Sequence, residues 1–99
     1  MEDSITRTLQ ALSDPTRRTI LRMLNERDMT AGEIAARFAI SAPSVSHHLN
    51  VLKSANLVTT ERHGQRIVYR LNATVLQETL GVLMELFRVG QGSQENGYA

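Results

Sequence analysis

Apolar residues recur at helical spacing through most of this chain and at strand spacing in one stretch. Ile5, Leu9 and Leu12 fall at i, i+4 and i+7, which predicts a short amphipathic helix over residues 4 to about 12, capped by Ser4. Asp14-Pro15 opens a second helix. The Asp14 carboxylate can accept from exposed backbone N–H groups, and Pro15 suits the first helical position, where a missing N–H costs nothing. Ile20, Leu21 and Leu24 make the buried face with Met23 beside it, the helix ends near Asn25, and residues 26–29 (ERDM) read as a connecting loop. Thr30 and Glu33 then have capping-box spacing ahead of a third helix with Ile34, Ala35 and Phe38 on its apolar face.

Ala39-Ile40 reads as a turn. Ser41 caps a fourth helix over about residues 41–55, with Pro43 in its first turn and Val45, His48, Leu49 and Leu52 as its inward stripe. From Leu57 the period changes. LVTTER and RIVYRL are rich in β-branched and aromatic residues and flank His-Gly-Gln, a hairpin signal in which Gly64 can take a positive φ. Ile67, Tyr69 and Leu71 share one face of the second strand. Asn72 is placed to cap a last helix from Ala73 to Arg88, apolar at Val75, Leu76, Leu80, Leu83, Leu86 and Phe87, with Thr79 in the stripe and Val82 and Met84 widening it. Gly90 and Gly92 stop that helix.

The predicted fold class is mostly α with a β-hairpin (α+β), in the order helix, helix, helix, turn, helix, hairpin, helix. A helix-turn-helix followed by a two-stranded ribbon is a winged helix-turn-helix. The 99 residues suit one domain, over residues 1–88, with the polar, Gly-rich residues 89–99 as a flexible tail. The last helix carries more apolar surface than so small a core can cover, which predicts contact with a partner.

Charge sharpens the picture through its distribution. Residues 1–40 balance six Arg against six acids. Residues 41–70 set Lys53, Arg62, Arg66 and Arg70 against Glu61, a local +3, and residues 71–99 carry −2. A local excess is what a phosphate-facing surface needs. Opposite the inward stripe, the fourth helix presents Ala42, Pro43, Ser46, His47 and Asn50, with Ser44 at the margin. These are small polar groups that can hydrogen-bond base edges without propping the helix away from a major groove. Residues early in a recognition helix reach deepest, so Ser44, Ser46 and His47 are the base-reading candidates, and the Ala42 methyl can meet a thymine methyl. Ser41, at a helix N-terminus, and Lys53 suit the phosphate backbone. Arg62, His63, Gln65 and Arg66 cluster at the hairpin tip, where cations track phosphates or enter a narrow minor groove. The plain alternative for both sets is a solvated, charged surface. Arg17 and Arg18 fit phosphate contact and an exposed helix face equally well.

Other chemistries find little support. The chain has no cysteine, hence no disulfide and no thiolate metal site. His47 and His48 diverge by about 100° on a helix and lack companions at i+3 or i+4, so no metal site and no cofactor is expected. His48 reads instead as a partly buried histidine with a hydrogen-bonded ring nitrogen. Ser46 beside a histidine lacks an acid to orient the imidazole, so no catalytic residue is assigned and no enzyme is expected. The N-terminal residues lack an apolar signal-peptide stretch and no run is long enough to span a membrane, so the expected compartment is the cytoplasm.

The segments LSDPTRRTIL, SVSHHLNVLKSANLV and RHGQRIVYRLN, in that order and spacing over roughly residues 5–88, resemble the ArsR family of bacterial winged-helix repressors. DPTRR, MTAGEIA, SHHLNVL and LNATVLQE look most like its SdpR-like autorepressor branch. The resemblance implies a homodimer built from the first and last helices, through Ile5, Leu9, Leu76, Leu80, Leu83 and Phe87. It also implies recognition helices entering successive major grooves of an inverted-repeat operator in double-stranded DNA. The SdpR-like branch implies a membrane or protein partner that sequesters the repressor. The chain departs from the family's sensors. Thr30-Ala-Gly-Glu-Ile34 stands where some carry cysteines, and Gln77, Glu78 and Glu85 stand in the last helix, where others use Asp and His. Two further readings remain open: a winged-helix protein-interaction module without DNA binding, and a small-molecule sensor with a pocket at the dimer interface.

Overall fold

The computed structural model describes residues 3–88. Gly90, Gly92 and the polar tail, to which the sequence assigned the end of the last helix and a flexible segment, lie outside the described residues. Helix α1 spans Ser4–Leu12. Its cap is Asp3 rather than Ser4: the Asp3 carboxylate accepts the Thr6 N–H at 2.8 Å from an extended backbone, and Ser4 is already helical. A carboxylate facing the unpaired N–H groups of a first turn also interacts favourably with the helix dipole. α1 buries Thr8 and Ala11, while Leu9 stays exposed. Helix α2, Pro15–Glu26, is capped by Asp14 with Pro15 in its first turn, and it buries Ile20, Leu21 and Leu24 as predicted.

The expected connecting loop ends differently. Met29–Thr30 form a short strand, β1, antiparallel to β3 (Arg66–Leu71), with Met29 opposite Tyr69 and Thr30 opposite Val68. The two-stranded ribbon is therefore a three-stranded sheet of order β1-β3-β2, where β2 is Val58–His63. Met29 is what holds β1 in place: its side chain is fully buried, so the backbone beside it needs a hydrogen-bonding partner other than water.

Helix α3, Ala31–Ala35, starts with both halves of the capping box made. The Thr30 N–H donates to Glu33 Oε1 at 2.8 Å, and the Glu33 N–H donates to Thr30 Oγ1 at 3.1 Å. It is shorter than its apolar pattern implies. Phe38 packs against the core from the turn, which runs over residues 36–40 rather than Ala39-Ile40 alone. Helix α4, Ala42–Ser54, is capped by Ser41 and buries Val45, Leu49 and Leu52. It ends in a Schellman motif. Asn56 takes φ +60°, the Leu57 N–H donates to Leu52 O at 3.0 Å, and the Asn56 N–H donates to Lys53 O at 3.0 Å. Leu52 and Leu57, both fully buried, supply the apolar contact that accompanies this closure. The chain thereby leaves α4 directly into β2, with Val58 also in the core.

Helix α5 spans Ala73–Phe87. Asn72 precedes it but does not cap it with its side chain. The Asn72 amide instead donates to Asn56 O at 3.0 Å, tying the start of α5 to the end of α4. Val75 and Leu76 pack against the core and Thr79 is buried, yet Leu80, Val82, Met84, Leu86 and Phe87 are exposed, Phe87 by 73%. Arg88, at φ +52°, ends the helix.

Candidate nucleic-acid interface

The α4 stripe that packs inward leaves the opposite side of that helix to solvent. Ser41, Ala42, Pro43, Ser44, Ser46, His47, Asn50 and Lys53 are all exposed, so every helix residue nominated for DNA contact lies outside the core. The first turn is ordered by its own hydroxyls. The Ser41 Oγ accepts the Ser44 N–H at 3.3 Å and lies 3.0 Å from Ser44 Oγ. Ser41 thus spends its acceptor on the cap; Pro43 has no N–H and the Ser44 and Val45 N–H groups bond Ser41, which leaves the Ala42 N–H as the first-turn donor for an anion. Lys53 sits in the last turn, where a cation complements the helix dipole.

The hairpin tip is a two-residue loop, Gly64-Gln65, closed by the pairing of His63 with Arg66. Gly64 takes φ +66° and Gln65 does not turn positive, the type II′ pattern that matches the twist of the flanking strands. Arg62, His63, Gln65 and Arg66 are all exposed there. Arg62 donates to Gly64 O at 3.4 Å, and His63 Nε2 lies 3.6 Å from Glu61. The tip group and the helix group are linked through β2, which leaves the end of α4 and packs against it.

One cation of the local +3 is already spent. Arg70 donates to Asp28 at 2.9 Å and to Glu61 at 3.1 Å, an ion-paired bridge from the β1 approach across β3 to β2. The Asp28 hydrogen bond, with the charges of Asp28 and Glu61 beside it, raises the Arg70 pKa further. The positive surface is accordingly Lys53 with Arg62 and Arg66. Arg66 lies close enough to Glu33 that, after the Thr30 N–H and the Arg27 charge, it helps hold that carboxyl below its ordinary value.

Arg17 and Arg18, which the sequence left ambiguous, are turned toward the protein. Arg18 donates to Leu12 O at 2.7 Å, and Arg17 donates to the carbonyls of Ala11 and Gln10 at 2.8 and 3.1 Å. His48 is partly buried with a hydrogen-bonded ring nitrogen, as read: Nδ1 lies 3.2 Å from Arg17 and 3.8 Å from Asp14 Oδ2. The Asp14 carboxyl is held below its ordinary value, first by the Arg17 N–H and further by the Arg17 charge.

Arg37 in the turn and Arg7 on α1 escaped the sequence reading. Arg37 is exposed between α3 and α4. Arg7 and Gln10 line a cleft of about 350 Å³ with His47, Asn50 and Ser54. Only the i, i+3 spacing of Arg7 and Gln10 on a polar helix face could have pointed to them, and that signal is common to solvated helices. Among the described residues no three His, Cys, Asp or Glu side chains gather as metal ligands, and no helix is long and apolar enough to cross a membrane.

Comparison with known proteins is consistent across sequence and structure. Residues 14–60 match the family described as "Bacterial regulatory protein, arsR family". The chain is 52% identical over 81 residues to the transcriptional repressor SdpR of Bacillus subtilis, covering 82% of this chain and 90% of that one. It is 46% identical over 70 residues to the HTH-type transcriptional regulator Rv2034 of Mycobacterium tuberculosis, covering 71% of this chain and 65% of that one. An ArsR-like transcriptional regulator from Rhodococcus sp. RHA1 superposes with a TM-score of 0.80 at 32% identity, over 86% of this chain and 80% of that one.

Proposed function

We propose that this chain, which belongs to the ArsR family and is a DNA-binding transcriptional regulator, represses transcription as a cytoplasmic homodimer on an inverted-repeat operator. The observation that carries the reading is a recognition helix whose exposed face is small and polar, followed directly by a hairpin with cations at its tip. In this reading Ser44, Ser46 and His47 read base edges from the major groove, with Ala42 and Asn50 beside them. Ser41, Lys53, Arg62, His63, Gln65 and Arg66 hold the backbone or the adjacent minor groove. Arg37 is a further candidate for the backbone. Residues 1–88 carry DNA binding and dimerisation, and no residue has a catalytic role.

The dimer supplies the symmetry. In this reading exposed Leu9, Leu80 and Phe87, with half-buried Ile5, Leu76 and Leu83, form the dimer surface across α1 and α5. A two-fold axis through that surface places two copies of α4 on one side of a duplex, with half-site centres about 34–36 Å apart or a multiple of that. The test is selection and sequencing of genomic fragments bound by the purified protein, followed by a salt titration on the enriched site. An inverted repeat and a steep fall of affinity with salt are expected. No enrichment, or an affinity flat across salt, overturns the proposal.

A further inference from the structure

Arg17 sits at the junction of three helices, and all of its mapped bonds point into the protein. Nε donates to Ala11 O at 2.8 Å and one terminal nitrogen to Gln10 O at 3.1 Å, both carbonyls at the end of α1. The other terminal nitrogen lies 3.2 Å from Nδ1 of His48, in the middle of α4. Its own backbone N–H donates to Asp14 Oδ2 at the α2 cap. A guanidinium can only donate, so the contact with His48 requires Nδ1 to be the bare nitrogen of the imidazole. The ring therefore carries its proton on Nε2. The charged groups around this ring are Arg17 and Asp14 from the start of α2, with the His47 ring beside it on α4, centroids 5.7 Å apart. Arg7 of α1 lies on the His47 side, lining the cleft that holds His47 and Asn50.

We propose that Arg17 is a positioning residue for DNA recognition, clamping His48 as its Nε2–H tautomer and so setting the roll of α4 about its axis. His47, one residue before His48, is offset from it by a fixed rotation of about 100° on the same helix, and Ser44 lies one turn before His48. Holding the His48 ring against the α1–α2 corner thus sets the direction in which the candidate base-reading side chains point. The apolar stripe of Val45, Leu49 and Leu52 holds α4 on the core but is non-directional, whereas the Arg17–His48 bond has one geometry. Arg17 is thereby not a phosphate contact: its charge acts inside the protomer.

The inference rests on α4 being the DNA-reading helix, and two measurements separate the two claims. The first needs no DNA. Long-range ¹⁵N–¹H spectra of the wild-type protein should show His48 Nδ1 unprotonated, and a protonated Nδ1 overturns the clamp while leaving DNA binding untouched. The second compares variants on the selected operator. Arg17→Gln and His48→Leu should weaken operator binding about tenfold, as expected for loss of a hydrogen bond to a charged group. His48→Asn, whose Oδ1 stands where Nδ1 stood, should bind like wild type. The Arg17→Gln salt slope should equal that of wild type; a slope shallower by about 0.9 marks a lost phosphate contact and overturns the proposal. So does His48→Leu binding as tightly as His48→Asn. Wild-type protein that fails to bind duplex at all refutes the recognition role of α4, and the spectra still decide the clamp.

Discussion

Replacing Leu80 with Glu should split the proposed dimer without unfolding the protomer. Leu80 is 58% exposed on α5, so the single chain gains little from it. Fully burying a leucine is worth about 1.5–3 kcal/mol, so covering the exposed part contributes about 1–2 kcal/mol per copy. A two-fold interface uses the residue twice, which doubles the loss to about 2–4 kcal/mol. Burying two unpaired carboxylates in the same place costs several kcal/mol more. The sum exceeds about 5 kcal/mol, or more than three decades in the dimer dissociation constant. Glu is a good helix former, so α5 itself persists. Sedimentation velocity at micromolar concentration should show a wild-type dimer and a monomeric Leu80→Glu variant with the wild-type helical circular dichroism. A variant that sediments as the wild-type dimer refutes the reasoning, because a surface tolerating two buried carboxylates is not the interface.

Arg66→Ala should weaken binding to all duplexes alike and make the salt slope shallower by about 0.9; an unchanged slope removes Arg66 from the backbone contacts. Ser46→Ala or His47→Ala should instead reduce the preference for operator over mismatched duplex by about 1–3 kcal/mol, and base reading lies elsewhere if both variants retain it. Leu49→Ala, at a position only 1% exposed, should lower stability by about 2–5 kcal/mol in urea titration; a loss under about 1 kcal/mol would mean α4 is not anchored by this stripe. The carboxyls of Asp3, Asp14 and Glu33 are held below their ordinary values of 3.8, 3.8 and 4.5, each chiefly by a backbone N–H of its own cap. Their folded-state pKa values being lowered, the stability they add is fully present above the ordinary values and is lost as pH falls below these and through the lowered folded-state values. Glu33→Gln should therefore flatten the urea midpoint against pH below about 4.5, and a profile as steep as wild type would contradict the assignment.

The parts legible in the sequence are those whose partners are near in the chain. Asp14, Thr30 with Glu33, and Ser41 each bond a group three residues away, so a local pattern contains the whole interaction. The inward face of α4 is legible for the same reason, since 3.6-residue periodicity is an intrahelical property. Asn72 shows where that logic stops. Its type and place suit a cap, but the Asn56 carbonyl, 16 residues back, is brought within 3.0 Å and takes the amide.

Sequence by itself determined the succession of helices and hairpin, the exposed polar face of α4 and the cationic hairpin tip, because periodicity and turn chemistry act over a few residues. Tertiary structure alone decided what those pieces do to one another. It made a strand of Met29–Thr30, because the partner residues Tyr69 and Val68 lie about 40 residues on. It removed Arg70 from the free positive charge by placing Asp28 and Glu61 beside it. It turned Arg17 from a surface cation into a clamp on His48, 31 residues away. Charge and hydrogen-bonding capacity are written in the residue types, but whether they face solvent, phosphate or another side chain is settled only when distant segments meet.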